Sequence, residues 1–207
     1  ETVWHQADRY KVPRIAYINK MDRLGSDFFA VVKEIQEKFN VIPVPLFIPI
    51  GSESSLSGVV DLIAMEEIHW KADTMGTEME RTQIRDGLIS LAKTWHDAMI
   101  DHLTAFSDDM TALYLEGKEI PAELIHTVIR KATIGLSIVP VFCGSSLKNM
   151  GVQTLLDGVI RYLPSPHDLP PAIGHLVKTD KEIEVPLNEK DPPLALVFKI
   201  QNDREAG

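Results

Sequence analysis

Two short apolar runs, residues 14–18 and 138–143, each lead into a polar loop and then an amphipathic helix. This repeated strand–loop–helix order constrains the fold more than any other feature of the chain. The first run, Arg14-Ile15-Ala16-Tyr17-Ile18, ends in Asn19-Lys20-Met21-Asp22. Phe28, Val31, Val32, Ile35 and Phe39 then recur at helical spacing, with Ser26 or Asp27 placed to cap the helix. The second run ends in Gly144-Ser145-Ser146-Leu147-Lys148-Asn149 and precedes a helix carrying Val152, Leu155, Leu156, Val159, Ile160 and Leu163. Units of this kind build doubly wound parallel sheets, which bind ligands at the carboxyl lip of their strands.

The two loops carry complementary chemistry. A carboxylate at Asp22 can accept two hydrogen bonds from the ring N–H and exocyclic amine of guanine. Adenine offers no such donor pair, so the wrong base leaves a buried acceptor unpaired. The Lys20 stem can lie along a purine face while its ammonium stays wet, and the Asn19 amide can donate and accept together. The Gly-Ser-Ser turn can present backbone N–H groups to an acceptor such as the guanine 6-oxo group. Read alone, Asn-Lys-x-Asp is also compatible with an ordinary charged strand-to-helix turn.

Between the two units the texture changes. Residues 44–50 and 56–63 read as an antiparallel hairpin around Gly51-Ser52-Glu53-Ser54-Ser55, with 68–70 as a third strand. A long helix is expected over 84–106, with Ile84, Leu88, Leu91, Trp95 and Ala98 as its apolar stripe. Ser107-Asp108-Asp109 caps a short helix at 110–115, and Pro121 opens another. Residues 45–137 hold 15 acidic and 7 basic residues, a net −8 out of the chain's −9. That sign opposes direct binding to a nucleic-acid backbone and suits either a basic protein surface or simple solubility. Asp97 and Asp101, at i, i+4 spacing, are expected on the outward face of the long helix.

The domain reading is therefore 1–44 (first α/β unit), 45–137 (acidic α+β insertion), 138–167 (second unit), 168–190 (Pro-rich linker) and 191–207. Residues 194–200 are strongly strand-like, and one strand cannot form a domain, so a β-rich neighbour is expected beyond it. The chain opens without Met, inside a helical pattern, and reads as an excerpt. A single cysteine, Cys143, excludes an internal disulfide and suits a small buried hydrophobe. There is no apolar run of membrane length and no leader, which leads to the expectation of a soluble, cytoplasmic, monomeric protein. None of the seven histidines pair at i, i+4, so neither a metal site nor a catalytic constellation is expected.

In order along nearly the whole chain, these segments resemble the elongation factor G family of translational GTPases. The matching stretches include Val12-Pro13-Arg14-Ile15, Asn19-Lys20-Met21-Asp22-Arg23, Ile48-Pro49-Ile50-Gly51 and Gly58-Val59-Val60-Asp61-Leu62. Cys143-Gly144-Ser145-Ser146-Leu147-Lys148-Asn149 and Arg161-Tyr162-Leu163-Pro164-Ser165-Pro166 continue the match. The resemblance implies an α/β fold: part of a P-loop-type GTPase sheet, an α+β insertion subdomain, and the start of a β-barrel. It makes Asn19, Lys20, Asp22, Ser145, Ser146 and Leu147 residues that bind GTP or GDP, with the Ser146 N–H on the 6-oxo group. The family usually has Ala at the position of Ser146, and Met150 stands where Lys is common. The resemblance further implies the ribosome as partner, with its stalk docking on the acidic block. The phosphate-loop pattern Gly-x-x-x-x-Gly-Lys-Ser/Thr does not occur in these residues, nor does Asp-x-x-Gly followed by histidine. Magnesium and hydrolysis would depend on those elements, so this stretch alone is expected to be inactive. Ribosomal translocation is the leading expectation. A ribosome-recycling or ribosomal-protection relative, or a stalk-docking module without turnover, are the alternatives.

Overall fold

The computed structural model describes residues 1–71, 74, 76–185 and isolated positions between 187 and 200. It forms two compact units, residues 1–163 and 164–207.

In the first unit a parallel sheet is built from β1 (Ala16–Ile18), β2 (Pro43–Pro45) and β7 (Val139–Cys143), in the order β1-β7-β2. Every residue of β7 is buried, as a central parallel strand requires. Ala16 registers with Val141 and Ile18 with Cys143, so the carboxyl ends of β1 and β7 lie side by side. After β1 the chain enters α2 (Phe28–Phe39), where Asp27 caps the first turn by accepting the Ala30 N–H at 3.0 Å. Phe28 and Val32 are its buried residues. A preceding helix, α1 (Thr2–Arg9), is pinned where Trp4 stacks on Phe39 at 4.0 Å.

The expected hairpin strand over 44–50 is two strands. Pro43–Pro45 joins the parallel sheet, Leu46 N–H donates to Val141 O at 3.0 Å, and the hairpin begins only at Phe47. Prolines 43 and 45 share one side of the strand and have no N–H to give, which suits the sheet edge where β2 sits. The third sheet strand therefore straddles the expected boundary at 44. The antiparallel sheet that follows runs β3 (Phe47–Ile50), β4 (Gly58–Asp61), β5 (Glu66–Trp70) and β6 (Met79–Gln83) in chain order. β6 is exposed along its length and polar after Met79, so no apolar alternation announces it.

The helices follow as α3 (Asp86–Thr104), α4 (Asp108–Leu115), α5 (Ala122–Ile134) and α6 (Val152–Tyr162). Ser107 caps α4 by accepting the Met110 N–H, and Pro121 immediately precedes α5. α3 is rotated from the expected stripe: Ala92, Met99, Ile100 and Leu103 are buried, while Leu91 and Ala98 are exposed. Phe29 stacking on Trp95 at 5.1 Å and His96 Nδ1 meeting Leu62 O at 2.7 Å hold that rotation. α6 differs more. Its buried residues are Thr154, Gly158 and Tyr162, whereas Leu156, Val159 and Ile160 face outward, Ile160 at 80% exposure. A Cβ on Gly158 would lie 2.2 Å from Phe142 Cζ, so α6 seats Gly158 on that ring while Leu156, Val159 and Ile160 turn away.

In the second unit, residues expected as linker form a hairpin of β8 (Ala172–His175) and β9 (Glu182–Val185), with Ala172 opposite Val185. Of the strand expected over 194–200, residues 194, 196 and 198 lie outside the described residues, and Ala195, Val197, Lys199 and Ile200 are not in a strand.

Candidate guanine-base site

The pairing of β1 with β7 places the two sequence-identified loops against each other. Gly144 N–H donates to Ile18 O and Met21 N–H to Gly144 O, each at 3.1 Å, which continues the ladder past the strand ends. Asn19 bridges the loops directly. Its Oδ1 accepts the Ser146 N–H at 3.0 Å and its Nδ2 donates to Ser146 Oγ at 2.9 Å. The same Oδ1 accepts the Lys20 N–H at 2.8 Å, folding the Asn19 side chain over its own turn. Lys20 holds a left-handed φ of 63°, which turns the chain sharply before Met21.

The second loop is closed on itself. Ser145 and Met150 exchange backbone hydrogen bonds at 3.0 Å, and Tyr17 OH donates to Met150 O at 3.0 Å from β1. Gly144 is required there, because a Cβ would stand 2.1 Å from Met150 O and 2.6 Å from Tyr17 OH. Cys143 is fully buried, its Sγ donating to Phe47 O at 3.6 Å, and burial pushes its thiol well above the ordinary range. It packs and does not react.

Of the expected site residues, the structure brings Asn19, Asp22, Ser145 and Ser146 to one lip of the sheet. Lys20 and Leu147 stand exposed at its rim, Leu147 at 82%. Asp22 Oδ1 is buried and has no hydrogen-bond partner among the described residues. The Ser145 hydroxyl, with help from the Lys148 and Arg23 charges, holds the Asp22 carboxyl below its ordinary range, so it is ionised at neutral pH. A half-buried, ionised carboxylate with an unpartnered oxygen fits a donor pair such as guanine's N–H groups. The Ser146 N–H, expected to meet the 6-oxo group, is instead held by Asn19 Oδ1. Among the described residues, no three His, Cys, Asp or Glu side chains converge as metal ligands. Sequence reasoning missed Tyr17, which buttresses the second loop. Its signal is an aromatic residue one strand pleat before Asn19.

Residues 1–165 match the family model of the elongation factor Tu GTP binding domain. The chain is 52% identical over its full length to elongation factor G 1 of Treponema denticola and 45% identical to elongation factor G 2 of Treponema pallidum. It spans 30% of the length of each of these relatives. A crystal structure from Thermus thermophilus shares the fold, with a TM-score of 0.70 at 20% identity, covering 82% of this chain and 26% of that one. The expectation of an α/β translational-GTPase fold is met: this chain belongs to the elongation factor Tu GTP-binding domain family and is similar along its whole length to elongation factor G.

Proposed function

We propose that this chain recognises the guanine base of GTP and GDP for a translational GTPase that couples hydrolysis to ribosomal translocation. The observation that carries the reading is the buried, unpartnered Asp22 Oδ1 beside the Asn19–Ser146 bridge. Asp22 takes guanine's N–H groups, Lys20 covers the purine face, and Asn19 with Ser145, Ser146 and Leu147 shapes the 6-oxo side. Phosphate and magnesium contacts belong to motifs that these residues do not contain, so the chain alone binds nucleotide weakly and does not hydrolyse it. The acidic block docks the ribosomal stalk, and the protein works as a cytoplasmic monomer that makes no direct nucleic-acid contact through this region.

Asp22→Asn tests the base assignment. The amide offers an N–H to xanthine's 2-oxo group and withdraws the acceptor from guanine's amine. In competition at millimolar nucleotide, the preference for guanosine over xanthosine diphosphate should shift by about tenfold or more toward xanthosine. An unchanged ratio removes Asp22 from the site.

A further inference from the structure

The turn between β3 and β4 reaches back to the loop that carries Asp22. Glu53 opens a short 3-10 turn (Glu53–Ser55) and has a left-handed φ of 54°. Its backbone N–H donates to Met21 O at 2.8 Å, and its Oε1 accepts the Gly25 N–H at 2.7 Å. Met21 and Gly25 bracket Asp22 in the chain, so one residue of the antiparallel sheet ties down both ends of the segment that holds the base-recognising carboxylate. Ser26 Oγ adds a second donor to Met21 O at 2.8 Å.

The turn is shaped to deliver that residue. Gly51 has φ 77°, and a Cβ there would meet Ser55 O at 2.3 Å, so the chain can fold tightly enough only with glycine. Ser52 N–H donates to Ser55 Oγ, which donates in turn to Ser52 O at 2.7 Å. A side-chain-bearing residue in the left-handed region is disfavoured and persists where its surroundings hold it, commonly beside functional sites. Here the surroundings are the base loop itself, and the bond from Gly25 N–H to a carboxylate is of the stronger, charge-assisted kind.

We propose that Glu53 is a positioning residue for guanine recognition: it holds the 21–25 segment so that Asp22 meets the base in register. The inference rests on the guanine reading above and adds a residue to it from a different sheet. Through Glu53 the acidic block touches the base loop, so a disturbance of the β3–β4 turn is felt at Asp22.

The experiment uses the isotope-labelled 207-residue chain, titrated with GDP and with ADP while the backbone amides of residues 19–25 are followed by NMR. Glu53→Gly deletes the carboxylate, keeps the backbone N–H to Met21, and relieves the left-handed strain, which offsets much of the lost bond. Glu53→Gln keeps an oxygen acceptor for Gly25. In E53G we expect faster hydrogen exchange at Gly25 and GDP affinity lowered by about three- to tenfold, with the chain still folded and its thermal midpoint lowered only slightly. E53Q should return to within about twofold of the native affinity. GDP affinity unchanged in E53G overturns the inference, as does an E53Q chain as weak as E53G. A native chain that answers GDP no differently from ADP overturns the guanine reading and the inference with it. Unchanged exchange at Gly25 in E53G refutes the clamp by itself.

Discussion

Asn19 and Ser146 grip each other across the β1–β7 pair: Asn19 Nδ2 donates to Ser146 Oγ at 2.9 Å, and Ser146 N–H returns to Asn19 Oδ1 at 3.0 Å. One of these bonds uses the backbone and survives any side chain at 146. The other needs the hydroxyl. Ser146→Ala should therefore cost about 0.5–1.5 kcal/mol of stability in urea unfolding while leaving the preference for GDP over ADP in place. A loss of base preference in this variant would mean that the hydroxyl itself recognises the base.

Glu67 is the most deeply paired carboxylate among the described residues. It is 2% exposed, takes Arg85 Nη2 at 2.7 Å and the Arg85 N–H at 2.9 Å, and meets His69 Nε2 at 2.8 Å. The Arg85 hydrogen bonds, outweighing desolvation, pull its pKa down to about 2. Because the folded value lies below the unfolded one, this stabilisation is complete above the ordinary carboxylate pKa and is lost as pH falls through about 2. Glu67→Gln should cost about 1–3 kcal/mol at neutral pH. In urea titrations at a series of pH values, the gap between native and variant should narrow steadily below the ordinary carboxylate pKa.

Gly158→Ala tests how α6 is seated. Alanine favours a helix by about 1 kcal/mol over glycine in an open position. At Gly158 the new methyl meets Phe142, whose ring is buried in the core. Overpacking of that kind costs about 1–3 kcal/mol, so the expected net change is a lowered thermal midpoint. A raised midpoint would show that Phe142 yields freely.

Asp97 and Asp101 are both exposed on α3, one turn apart. If the acidic block docks a basic stalk domain, reversing both charges to Lys should slow association about tenfold and change dissociation little. The native rate should fall with rising salt. Stopped-flow mixing at several ionic strengths reads both effects. Rates indifferent to salt and to the double reversal would move the contact elsewhere.

The parts of the fold legible in the sequence are those written in local chemistry. Asn19 to Asp22 and Gly144 to Ser146 stand at neighbouring strand ends and meet there, and Asp27 and Ser107 cap the helices they precede. What escaped depends on neighbours far along the chain. Leu91 and Leu156 sit at plausible core positions, yet the rotation of each helix is decided by its partners, Phe29 for α3 and Phe142 for α6. The Pro43–Pro45 strand is short and reads as the start of the adjacent hairpin until Val141 is found beside it. Met79–Gln83 is exposed along its length, and the side chains that tie it down, Arg81 to Asp61 and Glu66, carry no strand pattern. Glu53 is an unremarked polar turn residue until Met21 and Gly25 arrive next to it.

The placement of β7 between β1 and β2 makes the parallel sheet depend on contacts distant in the chain. β3 to β6 pair only with strands adjacent in the chain, and such local contacts close quickly. Ala16, by contrast, finds Val141 only after the whole acidic block and α5 have been traversed, and loop-closure entropy has to be overcome before that pairing is rewarded. Until β7 is in place, Met21 N–H and Asn19 Oδ1 lack their partners from the second loop. The contact between Asn19 and Ser146 therefore carries a larger loop-closure cost than any pairing in the antiparallel sheet, and it exists only in a chain that includes β7.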